Sequence, residues 1–270
     1  MEKGLICAPI HRRGIHNAVR EAQFGGCEIV RLRATAVALL LGTAFATQTE
    51  AAEQWGGSAA VTSDYFVRGI SRTSDHAALQ LEFHYVNPTG VFAGLFASNS
   101  RFDSHDREDA ELSAYIGYAW NVSDQWRGKL IASHYAYPWN QAGSSYNYDE
   151  LDFDLSFQGW LHFIVGYSPN SWRLYRDQAG TDLISVSEKS AEASLQRQIV
   201  GKFSLTAGAG YSYLSGPDAG GYAYWSGGAA YDLAPVTLTL SYVDTTKAAK
   251  PLFYNAASRG QWMGTVLWRF

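Results

Sequence analysis

Charged residues recur in this chain at alternate positions, a spacing that puts them on one face of an extended strand. Glu150, Asp152 and Asp154 form one such row, Arg127 and Lys129 a second, and Asp64, Phe66 and Arg68 a third. Glu82 and Glu111 stand singly among polar neighbours. A row of charges on one strand face suits two tasks. It can set up a field across a constriction that selects solutes by sign, or it can pair across strands and fill the inside of a narrow barrel. Arg127 and Lys129 are expected to meet Asp152 and Asp154 on the neighbouring strand. Asp64 and Arg68, about 13 Å apart along one strand, are too distant to pair with each other and must look to adjacent strands.

Other chemistry is poorly provided for. The histidines are scattered: His11 and His16 near the start, His76 and His105 in expected loops, His84 and His162 on inward faces, His134 on an outward row. None has a partner at metal-ligand spacing, and Ser133-His134-Tyr135 lacks a third group to orient the imidazole. No catalytic residue, metal site or cofactor is therefore expected. A formal net charge of −4 with no basic patch excludes a nucleic-acid partner.

The elements that must position the charges are strands. Of 270 residues, 14% are aromatic and only 17% charged, with 26 glycines, a mix that excludes disorder and favours β structure. Period-two alternation is plain in Leu79, Leu81, Phe83 and Tyr85 against Gln80, Glu82 and His84, and in Leu151, Phe153, Leu155 and Phe157 against Glu150, Asp152, Asp154 and Ser156. Twelve strands are predicted, over 57–68, 78–86, 91–98, 110–121, 125–137, 147–158, 160–168, 188–199, 203–214, 222–233, 236–243 and 261–270. Brief turns between them alternate with longer connections at 69–77, 99–109, 138–146, 169–187, 215–221 and 244–260.

Residues 1–52 are read as an upstream extension and secretory signal. Its apolar core, Ala34 to Ala46, follows Arg31 and Arg33 and is too short to span a bilayer as a helix. The stretch before Arg31 is long for a signal, so translation is expected to begin near Val30. Cys7 and Cys27 both fall in this segment, which leaves residues 53–270 without cysteine.

Alternation alone does not separate a soluble β protein from a membrane barrel. Three features favour an all-β, transmembrane, antiparallel up-and-down barrel with its oily face outward. The polar face is rich in Gly, Ser, Ala and Thr. Outward aromatics gather at strand ends, with Tyr85, Trp120, Trp126, Tyr231 and Trp268 toward the short turns and Tyr167, Tyr213, Tyr242 and Trp262 toward the long connections, as in two interfacial girdles. The chain closes on Trp268-Arg269-Phe270, with Phe270 at the place of an assembly signal. The glycine usual six positions from the end is here Thr265, with Gly264 beside it.

The blocks Thr62-Ser63-Asp64-Tyr65-Phe66-Val67-Arg68-Gly69-Ile70-Ser71, Gly94-Leu95-Phe96-Ala97-Ser98-Asn99, Ala114-Tyr115-Ile116-Gly117-Tyr118 and Asn147-Tyr148-Asp149-Glu150 resemble the TorF family of outer-membrane porins, a bacterial family of unknown function. The likeness covers most of 55–270. It implies a barrel in the outer membrane of a Gram-negative bacterium, exported through the periplasm, and passive passage of small solutes. It brings no catalytic residues. Lipid and lipopolysaccharide, the assembly machinery acting on the last strand, and small solutes are the expected partners. Asp64, Arg68, Glu82, Glu111, Arg127, Lys129, Glu150, Asp152 and Asp154 are the pore-lining candidates, and their surplus acid predicts a mild preference for cations. The alternatives are surface recognition through the 169–187 and 244–260 loops, or a lipid-modifying enzyme.

Overall fold

The computed structural model describes residues 54–101, 109–139, 146–176, 181–217, 219–253 and 260–270. The expected leader at 1–52 and His105 lie outside the described residues. The strands are β1 (Gln54–Thr62), β2 (Phe66–Val67), β3 (Ile70–Ser71), β4 (Ala78–Val86), β5 (Val91–Ser100), β6 (Asp109–Asn121), β7 (Trp126–Ala136), β8 (Tyr148–Phe157), β9 (Leu161–Arg176), β10 (Thr181–Val200), β11 (Phe203–Leu214), β12 (Gly220–Asp232), β13 (Val236–Thr245) and β14 (Gln261–Arg269). A 3₁₀ turn at Lys247–Ala249 runs into a single helical turn, α1 (Lys250–Phe253).

Twelve of these strands close into one antiparallel barrel, each beside its chain neighbour, with β1 sealing against β14 from Ser58↔Arg269 to Thr62↔Thr265. Closure leaves no barrel edge unpaired, which hydrocarbon demands of any sheet that crosses it. The alternation in the sequence becomes a division of surfaces. Leu79, Leu81 and Phe83 are each about half exposed, while Gln80 between them is 3% exposed. Along β13, Leu238 and Leu240 face out and Thr237, Thr239 and Ser241 are buried. A water-soluble protein would hide these leucines, each worth about 1.5–3 kcal/mol on burial. An oily exterior around a polar interior is the arrangement of a barrel whose solvent is lipid.

The tight turns sit at one end. At the β4–β5 turn the Asn87 side chain accepts the Thr89 amide at 2.9 Å, and Gly90 takes φ +97°, a conformation a Cβ would strain. The β1 seam closes at the same end, where the Gly57 and Phe270 backbones exchange hydrogen bonds of 3.0 and 3.1 Å.

Three expectations need correction at the other end. The first strand stops at Thr62 instead of continuing to residue 68. Arg68 at φ 52° and Gly69 at φ 75° reverse the chain, so β2 and β3 form a separate hairpin that folds into the barrel. The described parts of the 169–187 segment are strand and not loop: β9 and β10 run on in pairing from Ser168 to Arg176 and from Thr181 to Glu188, with a bulge between Val186 and Glu188. Here apolar and polar residues mix on the same face, Trp172 opposite Ser185 and Ile184 opposite Arg173, so the oily alternation fades while the backbone ladder persists. The 244–260 connection carries α1, whose Leu252 and Phe253 are buried with Ala249 against Trp172, Tyr222 and Leu214.

Candidate functional site: the lumen and its plug

Asp64 organises the root of the hairpin. Its carboxylate accepts the Tyr65 amide at 2.7 Å, the Ser71 and Thr73 hydroxyls at 2.7 and 2.6 Å, and Gln261 Nε2 at 2.8 Å. Burial pushes this carboxyl above its ordinary range, against the pull of the two hydroxyls and the amide. The resulting loop is fixed from within, by groups no more than nine residues away, and by Gln261 of the last strand.

Arg68, at the hairpin tip, reaches the far wall. Its Nη2 lies 2.5 Å from Glu150 Oε1, its Nη1 3.0 Å from Glu188 Oε1, and Nη2 is 4.0 Å from Asp152 Oδ1. All four side chains are nearly excluded from solvent. Glu188 is held in turn by the hydroxyls of Ser171 and Ser212 at 2.7 and 2.6 Å. Glu111 sits beneath the hairpin root with zero exposure, accepting hydrogen bonds from Tyr65 at 2.8 Å and Tyr137 at 2.5 Å.

Above these ion pairs lies an apolar cap. Ile70 of the hairpin joins Tyr135, Tyr137, Tyr146, Tyr148, Trp172, Tyr222 and Phe253 in one buried cluster. Tyr135 stacks on Tyr148 with centroids 4.3 Å apart, Tyr146 meets Trp172 edge-on at 4.9 Å, and the Arg72 guanidinium lies 5.0 Å over Trp172. The long-connection end of the barrel is therefore filled by hairpin, aromatic ring and helical turn.

Nearer the tight turns the remaining charges line the wall. Lys129 Nζ lies 3.2 Å from Asp154 Oδ2, the cross-strand pair expected from β7 and β8. His162 Nδ1 adds a second contact to Asp154 at 3.0 Å. Glu82 accepts Tyr115 Oη at 2.7 Å and Ser58 Oγ at 3.3 Å, with His84 Nδ1 3.2 Å away. The two halves of this wall differ in bulk. Phe92, Tyr115 and Ile131 fill the β5–β7 side, whereas Ser194, Gly208, Ser226 and Gly228 leave the β10–β12 side low and partly accessible.

Of the residues singled out from sequence, Glu82, Glu111, Lys129, Glu150, Asp152 and Asp154 do face the interior. Asp64 and Arg68 reach it from the hairpin, not from a strand. Arg127 meets neither Asp152 nor Asp154. It is paired in register with Ser156, is half-buried and donates to Asn121 Oδ1 at 3.4 Å, because one residue pair along the ladder separates it from the acidic row. Asp152 instead turns to Arg68. Tyr85, Trp120, Trp126, Tyr167, Tyr213, Tyr231, Tyr242, Trp262 and Trp268 all occupy outward positions of their strands. Several meet an aromatic neighbour, as Tyr242 does Trp262 at 5.5 Å and Trp268 does Phe270 at 5.0 Å. Sequence reasoning missed Glu188 and the aromatic cap. Glu188 shares the parity of Ser190 and Glu192, and carrying that period one step back would have placed it inside.

The chain belongs to the family described as bacterial protein of unknown function (Gcw_chp), whose pattern matches residues 46–270. None of the curated proteins matches it in sequence. Among solved structures it is similar to the NanC porin, at 11% identity and TM-score 0.52 over 79% of this chain and 98% of that one. The KdgM porin follows at 7% identity and TM-score 0.48 over 80% and 99%, and LpxR from Salmonella typhimurium at 9% and 0.44 over 79% and 99%. At such identities the likeness is one of fold: a closed barrel of the outer-membrane porin kind.

Proposed function

We propose that this member of a family without an assigned activity is an outer-membrane channel for small solutes, held shut in the state described here by its own hairpin. The observation that carries the reading is the Arg68 latch: a charged hairpin tip, folded into a polar lumen and anchored to Glu150 and Glu188 on the far wall. A barrel that served only as a rigid anchor could fill its interior with apolar side chains at less desolvation cost. The porin-like fold, and the likeness of the N-terminal block to the TorF porins, support the same reading. On this reading the leader is removed on export through the periplasm, the outward aromatics sit at headgroup depth beside lipid and lipopolysaccharide, and Phe270 is presented to the assembly machinery.

The channel prefers cations. Among the described buried residues nine carboxylates stand against four basic side chains, and a net acidic lining raises the local concentration of positive solutes. The pairing of β9 with β10 and the inward packing of α1 favour a channel over recognition by long loops.

The test is reconstitution into planar bilayers across a salt gradient. Brief or infrequent steps are expected from the parent chain, with a reversal potential of cationic sign, and longer openings from Arg68→Met. A barrel that stays silent in both forms overturns the channel, and an anionic reversal potential overturns the selectivity.

A further inference from the structure

We infer that Glu150, Glu188 and Asp152 form a binding site for the guanidinium group of a passing solute, and that Arg68 occupies it as a tethered stand-in. The inference rests on the channel reading and names the chemistry its lumen recognises.

The site belongs to the wall and not to the hairpin. Glu150 and Asp152 are on β8 and Glu188 on β10, and each is no more than 7% exposed. Ser171 on β9 and Ser212 on β11 fix both Glu188 oxygens by donating to them. These supports stay in place when the hairpin leaves. β2 pairs only with β3 and adds no rung to the barrel, so the hairpin's departure would break the contacts of Tyr65, Phe66, Ile70 and Arg72 and leave every barrel ladder in place.

The geometry suits a planar fork. Two different guanidinium nitrogens of Arg68 meet two different carboxylates, the spread that the rigid fork of a guanidinium presents. The third carboxylate is unfinished: Asp152 Oδ1 is buried without a hydrogen-bond donor, and aims at Arg68 Nη2 from 4.0 Å. Gly166, on β9 between them, keeps the space open. A Cβ there would stand 2.6 Å from Asp152 Oδ1 and 3.1 Å from Arg68 Nη2. With Arg68 gone, Glu150 and Glu188 would lose the guanidinium that lies 2.5 and 3.0 Å from them, and the empty pocket would draw in a cation.

The experiment uses methylguanidinium and the purified barrel in detergent. Arg68→Ala should bind it saturably by calorimetry, and the parent, its pocket occupied, should not. Binding should weaken about tenfold or more when Glu150→Gln is added, the loss expected for a charge-assisted hydrogen bond. Methylammonium should bind less well, and tetramethylammonium, which has no donor, not at all. A folded Arg68→Ala barrel that shows no saturable binding overturns the inference, as does equal binding after both Glu150→Gln and Glu188→Gln. A second measurement keeps the parent chain. Methylguanidinium should compete with Arg68 and speed hydrogen exchange at the amides of Phe66 to Ser71, and unchanged exchange counts against the site. Neither readout requires solute to cross, so a barrel that conducts and does not bind refutes this inference while leaving the channel standing.

Discussion

Replacing Arg68 by Met removes the guanidinium and keeps much of the stem, so the change is mainly electrostatic. In the docked state it leaves Glu150 and Glu188, both nearly excluded from solvent, without the group that lies 2.5 and 3.0 Å from them. Breaking a buried pair by removing one partner costs about 3–5 kcal/mol. The hairpin shares no ladder with the barrel, so this cost falls on docking and not on the barrel itself. At about 1.4 kcal/mol per factor of ten, the docked-to-undocked ratio should fall by roughly two to nearly four powers of ten. Single-channel recording reads this directly as open occupancy, with electrophoresis of unheated samples checking that the barrel is folded. A companion variant, Arg68→Met with Glu150→Gln and Glu188→Gln, removes the stranded charges and should recover most of the docking. A change in occupancy below about threefold for the single variant, or a companion that behaves like it, would refute the idea that ion pairs hold the plug.

Lys129→Met leaves Asp154, which is 2% exposed, with His162 as its remaining partner, and should lower barrel stability by about 1–3 kcal/mol. Thermal unfolding on semi-native gels should show this, and adding Asp154→Leu should reverse most of it. Glu111→Gln exchanges two hydrogen bonds to a carboxylate, from Tyr65 and Tyr137, for neutral ones. Hairpin docking should weaken by about 1 kcal/mol through Tyr65, seen as faster amide exchange around Tyr65, while the Tyr137 bond, which joins the ends of β6 and β7, should cost the barrel a similar amount in thermal unfolding. Leu81→Arg puts a charge on the outward face, where Leu81 is 51% exposed, and should cost about 2–4 kcal/mol near the bilayer midplane, measured by urea unfolding in lipid vesicles. Deleting Phe270 removes both backbone bonds to Gly57 at the seam and should slow assembly in vesicles. Folding at the parent rate would remove Phe270 from that role.

Much of the wall was legible because it is repetitive. A side chain's face on a strand follows from parity alone, so Lys129 and Asp154 could be paired, and Gln80 and Leu81 set on opposite sides, without knowing any distant contact. Parity does not set register, and at Arg127 a shift of two residues decides between Ser156 and Asp154. The rule failed wherever alternation lost its oily half. The extensions of β9 and β10, where apolar Trp172 and Ile184 stand opposite Ser185 and Arg173, keep their backbone pairing but give no periodic signal, and they read as a loop.

The hairpin was beyond any local rule. Asp64 to Ser71 alternates well enough to continue a strand, yet the chain turns inward because Arg68 finds Glu150 and Glu188, 82 and 120 residues away, and because Ile70 completes an aromatic cluster drawn from β7 to β12 and α1. Sequence by itself determined twelve membrane-length strands and which face of each meets lipid, since a period of two and a hydrophobic transfer energy are properties of single segments. Whether the lumen stands open or closed was decided only by tertiary structure, since a buried charge is placed by whichever opposite charges the closed barrel brings within 3 Å of it.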